Sequence, residues 1–129
     1  MPLVLSYNLT LQQTAMLHGI CQSYDCRMYP VTPDEYGLRL GDLADGRTDA
    51  EPAEAGEDFA EPMLLLAGLS NAQLNGVLQT LLDNGILVHL KAVLTETNAA
   101  WSSYSLYAHI RAEWAEVRRQ LEQHKRQQS

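Results

Sequence analysis

Apolar and polar residues follow two rhythms along this chain, and each change of rhythm marks an element. Leu3–Leu9 (LVLSYNL) is a strand-sized, mostly apolar run. Thr10 then offers a hydroxyl to the free amides of a first helical turn. From Thr10 to about Asp25 the apolar positions Ala15, Met16, Leu17, Ile20 and Cys21 fall on a helical stripe. Cys26–Val31 (CRMYPV) reads as a second strand, and Pro30, which has no N–H to donate, predicts an edge position for it. Thr32 and Pro33 start a short helix that ends near Asp45-Gly46. After a break the pattern returns. Pro62–Leu69 (PMLLLAGL) is continuously apolar, as in a strand buried on both faces. Ser70 caps a helix whose Leu74, Val77, Leu78, Leu81 and Leu82 recur at helical spacing, and Asn84-Gly85 stops it. Ile86–Leu94 supplies a fourth strand, and a last helix starts near Trp101 or Ser102 and runs to about Gln123.

The two halves follow one plan. VLSYNLT at residues 4–10 lines up with LLLAGLS at 64–70, an offset of sixty residues, and each run leads into a helix and then a strand. Two βαβ units follow, each with parallel strands and a right-handed crossover. The fold class is therefore α/β: an open, four-stranded, mainly parallel sheet of order 2-1-3-4, with helices on its faces and a long C-terminal helix. A ferredoxin-like arrangement competes, but it needs a short hairpin between strands two and three, where about thirty residues stand instead. The expected organisation is one domain over 1–129. Its parts are a first unit at 1–45, an acidic flexible loop at 46–61, a second unit with the terminal helix at 62–124, and a tail at 125–129.

Charge sharpens this division. The net charge is −7, yet residues 34–61 hold ten acids and two bases, a net of −8, which leaves the rest of the chain at +1. Acidity belongs to one segment, and the body is close to neutral, which argues against nucleic-acid binding. Residues 46–61 (GRTDAEPAEAGEDFAE) are too polar and small to offset their ordering entropy, with Phe59 as the one candidate anchor. No apolar run reaches membrane-spanning length, and the N-terminus has no basic, leader-like region, so a cytoplasmic location is expected.

Catalytic signatures are missing. The chain contains no G-x-G-x-x-G, phosphate loop, H-E-x-x-H or G-x-S-x-G. His18, His89, His109 and His124 show no ligand spacing. Cys21 and Cys26 have a C-x4-C spacing, with His18 on the same helical face as Cys21, but no fourth ligand follows, so neither a metal site nor a cofactor is expected. Lys91 opens the fourth strand and reads as an edge guard that reaches solvent.

Fold logic supplies one candidate ligand site, because open α/β sheets bind ligands beyond the carboxyl ends of their strands. In a sheet of this order Asn8 and Thr10 would face Gly68, Ser70 and Asn71, with Thr95, Thr97 and Asn98 close by. These groups, with free helix N-termini, suit a small anion or nucleotide-type ligand, although each is also a good cap or turn former. The terminal helix supplies the candidate interaction surface. Its Tyr104, Tyr107, Ile110, Trp114, Val117 and Leu121 recur at three or four residues, its length exceeds that of an ordinary strand, and Tyr107, Trp114, Val117 and Leu121 are the expected contact residues. The partner expected there is a protein or a second copy of the chain, with docking of the acidic segment onto the basic helix end as an alternative.

Lys91-Ala92-Val93-Leu94-Thr95, followed by Asn98 and Trp101 and preceded by Gly68-Leu69-Ser70 with its leucine-striped helix, resembles a bacterial family known as domain of unknown function 3783. The resemblance covers roughly residues 62 to 115. Tyr36-Gly37 and Leu40-Gly41-Asp42-Leu43 resemble the segment that precedes the domain in such proteins. It implies no activity and no catalytic residues. The expectation is a small binding or regulatory module that acts by partner contact, with ligand binding at the strand ends or weakly signalled catalysis as the alternative.

Overall fold

The computed structural model describes residues 2–128. Strand β1 (Leu3–Tyr7) leads through helix α1 (Leu11–Ser23) to β2 (Arg27–Val31), a 3-10 turn (Pro33–Glu35) and the short α2 (Leu40–Ala44). The second unit repeats the order: β3 (Met63–Ala67), α3 (Asn71–Asp83), β4 (Leu90–Val93), a 3-10 turn (Asn98–Ala100) and α4 (Ser103–Gln128). The sheet order is β2-β1-β3-β4, with Pro30 and Lys91 on the two edge strands. β1 runs parallel to β2, and β3 runs parallel to β4. The central pair, β1 with β3, is antiparallel, from Leu3 opposite Ala67 to Tyr7 opposite Met63.

That central pair makes the molecule an internal two-fold. Leu5 pairs with Leu65, its own counterpart at an offset of sixty, as a rotation axis through the sheet centre requires. The same offset relates the reciprocal capping boxes of Thr10 with Gln13 and Ser70 with Gln73. It also relates the left-handed backbones at Asn8 (φ 60°) and Gly68 (φ 70°), and at Asp25 (φ 56°) and Gly85 (φ 73°). After the second crossover the offset becomes sixty-three, so Thr32 with Glu35 matches Thr95 with Asn98. Arg39 forms an isolated antiparallel bridge with Ser102, its counterpart, beside the same axis.

Alternation along the strands divides the core into two layers. Val4, Leu64 and Leu66 face α1 and α3, where Leu17, Ile20, Val77 and Leu81 close one cluster. Leu5, Tyr7, Met63 and Leu65 face α2 and α4, where Leu40, Leu43, Leu106 and Ile110 close the other. The buried run MLLLA of β3 is thus covered on both sides, as its continuous apolarity predicts.

Several boundaries differ from the sequence expectation. The expected short helix from Pro33 to Asp45 is two pieces separated by Tyr36–Arg39, because Tyr36 and Leu38 turn into the core there. Ladder pairing of β4 starts only at Leu90, although Ile86 and Val88 are already buried. α4 continues to Gln128, past the expected end near Gln123. Residues 46–62 contain no helix or strand and form a largely exposed strap between the two units.

Candidate functional site

The antiparallel central pair decides where the strand-end residues lie. The carboxyl end of β1 sits beside the amino end of β3, so Asn8 and Thr10 lie at one end of the sheet. Gly68, Ser70 and Asn71 lie at the other, together with Thr95, Thr97 and Asn98, which follow the parallel strand β4. The expected convergence of all eight residues is therefore corrected: sequence reasoning placed β1 and β3 in one direction, and their opposition splits the group. Local bonds occupy most of the polar atoms. The hydroxyls of Thr10 and Ser70 each accept from the backbone N–H three residues on, at 3.1 Å. Asn98 accepts from the Thr95 amide at 2.8 Å and donates to the Val93 carbonyl at 3.0 Å. Thr97 and Asn71 are exposed.

Asn8 has a different task. Its amide nitrogen donates to the carbonyls of Phe59 (2.8 Å) and Glu61 (3.1 Å), and its Oδ1 accepts from the Tyr36 hydroxyl (3.1 Å). It fastens the end of the strap. Phe59 is the strap's buried residue, stacked between Tyr36 at 4.6 Å and Tyr107 at 4.1 Å, with Tyr7 at 5.9 Å. The strap carboxylates accept hydroxyl bonds from α4 and the residue before it. Glu54 accepts from Ser102 and Ser105, Asp58 from Tyr104, and Glu61 from Tyr107. The serine hydroxyls hold the Glu54 carboxyl below its ordinary range, and the Glu61 carboxylate, with burial, pushes the Tyr107 phenol up. Two glycines permit the close approach. Gly37 accepts from the Ala53 amide at 2.8 Å, and a Cβ there would collide with the Glu54 carbonyl. A Cβ on Gly56 would come within 2.8 Å of the Tyr104 ring. The acidic segment thus docks on the amino-terminal half of α4 and not on its basic end. Phe59 was the only signal for this in the sequence; the tyrosines that receive it gave none.

α4 extends past the body. Ile110 is its last buried residue, and everything from Arg111 to Arg126 is exposed. The eighteen residues beyond Ile110 span about 27 Å at 1.5 Å per residue. Trp114 (39% exposed), Val117 (46%) and Leu121 (57%) continue the stripe begun by Tyr107 and Ile110, at intervals of three and four. Tyr107, expected in the interaction surface, is half-buried and committed to Phe59 and Glu61, so the accessible stripe begins at Trp114. Trp114 donates its indole N–H to the His89 carbonyl at 3.2 Å, which fixes the root of the projection to the segment before β4. A cavity of about 210 Å³ opens at this root, lined by Glu61, His89, Leu90, Arg111, Trp114 and Arg118. Arg111 reaches Glu61 at 3.3 Å, whereas Arg118 has no ion-pair partner among the described residues.

The cysteines do not gather with His18. Cys21 and Cys26 are free and buried while His18 is exposed, and burial pushes the Cys21 thiol up to about 12. Among the described residues no group of three or more His, Cys, Asp or Glu is placed to hold a metal, and no helix is long and apolar enough to cross a membrane.

Residues 62–117, which run from just before β3 into the projecting part of α4, match the model of a family described as Domain of unknown function (DUF3783). The second unit is thus similar to this family over those residues. No curated protein and no solved structure shows significant similarity to the chain. The match covers the second unit from its first strand, through the capped α3 and the Lys91–Thr95 run, to Val117 on the stripe. The first unit repeats its architecture outside the matched residues.

Proposed function

We propose that this protein is a non-catalytic binding module that works by contact with another protein, and that the projecting end of α4 is its working surface. The observation that carries this reading is the stripe of Trp114, Val117 and Leu121, which leaves the body on one line, anchored at Trp114 and open to solvent at Val117 and Leu121. A lone exposed apolar residue is ordinary; an aligned set on a helix extending into solvent is the usual mark of a helix-binding surface. Such a helix gains little from intrinsic propensity and is completed by packing against a second one. The occupant is therefore a helix of the partner.

Site-specific photo-crosslinking tests the proposal in cells that make the protein. A crosslinker at Val117 is expected to give a discrete adduct that disappears in Leu121→Asp, and one at exposed Leu87, outside the stripe, is expected to give none. Identical adducts from both positions, or none from Val117 while the protein is folded, would remove α4 as the contact surface.

A further inference from the structure

The stripe on α4 admits two kinds of occupant, a second copy of this chain or a helix of different sequence, and geometry with charge separates them. Tyr107, Ile110, Trp114, Val117 and Leu121 follow the alternating three-and-four spacing of a coiled-coil seam. A parallel second copy is blocked by its own body. Leu106 and Ile110, at the upstream end of the stripe, are packed on the sheet, so a parallel partner helix would direct its preceding turns and its own sheet into the volume of β3 and β4. An antiparallel second copy escapes that clash but meets another obstacle. Arg111, Arg118 and Lys125 recur every seven residues along one flank of the seam. Antiparallel pairing sets like flanks against each other, so Arg118 would meet Arg118 and Arg111 would meet Lys125. Like charges at these positions oppose association and select against the wrong partner.

The same flank defines the right one. Between Arg111 and Arg126 the helix carries five bases and three acids, a net of +2 on a chain of net −7. The Arg118 guanidinium lines the cavity at the root without a carboxylate of its own, while Arg111 is already held by Glu61. Resting on the reading of α4 as the working surface, we infer that its partner is a helix of another protein, with an apolar seam flanked by Asp or Glu, one carboxylate of which seats beside Arg118. The long-range repulsion between an acidic ligand and the rest of this acidic chain confines the contact to this helix end.

Two labelled peptides of about four heptads serve as probes, identical in a leucine seam and carrying Glu or Lys throughout the flanking positions. Fluorescence anisotropy with the full chain is expected to show the Glu peptide binding at least about ten-fold more tightly than the Lys peptide, with the preference reduced by salt. Arg118→Glu is expected to cancel or invert that preference, and Val117→Asp to abolish binding of both while circular dichroism shows an unchanged body. Equal binding of the two peptides would overturn the acidic-partner inference and leave α4 as a working surface. Binding of neither, with a dimer in light scattering that Val117→Asp dissociates, would overturn it in favour of a second copy. Binding of neither, with a monomer, would overturn it and remove the support for the surface itself.

Discussion

Phe59→Ala tests whether the acidic strap is part of the fold or only rests on it. The side chain is 8% exposed in a segment where almost every other residue is open to solvent. Burying a phenylalanine side chain contributes about 1.5–3 kcal/mol. Its two stacked contacts, to Tyr107 at 4.1 Å and 5° and to Tyr36 at 4.6 Å and 17°, add about 0.5–1.5 kcal/mol each. Together these give a loss of about 2.5–6 kcal/mol, which brackets the roughly 3–5 kcal/mol found for phenylalanine truncation in cores. A strap without regular structure can settle into the space, which lowers the cavity cost and favours the lower end of the range. Against a typical domain stability of about 5–15 kcal/mol this is a large fraction. Urea unfolding followed by circular dichroism reads it as a fall in midpoint at an unchanged m-value. Phe59→Leu, which keeps most of the apolar volume, is expected to cost less than half as much. A loss below about 1 kcal/mol for Phe59→Ala would refute the reasoning, because the ring would then be interchangeable with solvent at that site.

The matched capping boxes predict matched costs: Thr10→Ala and Ser70→Ala should each destabilise by about 1 kcal/mol, and the double variant by their sum, all measured by urea unfolding. Alkali should unfold the protein early. Tyr29 is pushed up to about 12 by its bond to the Glu35 carboxylate, and Tyr7 and Tyr36 are raised by burial. The folded state therefore keeps protons that the unfolded chain releases. This stability is complete below about pH 10, the ordinary tyrosine value, and is lost as pH rises toward the folded values. Tyrosinate absorbance should lag behind that of free tyrosine and then rise together with loss of structure; a simple non-cooperative titration would contradict it. Excised residues 62–128 should be unfolded as a monomer, because β3 loses β1, and ordered only where two copies pair β3 antiparallel about Leu65. A stably folded monomer in light scattering would contradict this.

Strand order was legible because three local signals agreed: Pro30 demanded an edge, LLLAGL demanded an interior position, and the loop between the units was too long for a hairpin. The direction of β3 against β1 was not legible. An apolar strand buried on both faces has no sequence feature that distinguishes parallel from antiparallel neighbours, and residues 46–62 are long enough to return the chain to either end. The expected convergence of the eight residues at one end of the sheet broke for that reason alone, since each was correctly placed at the end of its own strand. The docking of the strap was half legible. Phe59 stood out as the one aromatic in a polar run, but its receptor is made of Tyr7, Tyr36 and Tyr107, from three distant elements, and only tertiary packing brings those together.

The internal two-fold makes the departures from it informative. Thr32 matches Thr95, Glu35 matches Asn98, Arg39 matches Ser102, and α2 starts where α4 starts under the same operation. The match ends at Ala44, where α2 stops before Gly46 in the left-handed region at φ 77°, while α4 continues to Gln128. Two things therefore lie outside the repeat: the acidic strap that replaces a continued α2, and the projecting half of α4. They share the first turns of α4, where Tyr104 and Tyr107 receive the strap about three and two turns before the exposed stripe begins. A repeated core needs neither addition to pair its strands or close its two layers. The strap does contribute Phe59 to one layer, so stability gives it a reason to exist. Beyond Ile110, past the root where Trp114 and Arg111 touch the body, Val117 and Leu121 stay exposed, and apolar residues aligned in solvent are a liability for an isolated chain. Of the two departures from symmetry, the projecting helix is the one that packing within this chain explains least, which is why the proposed partner contact is placed there.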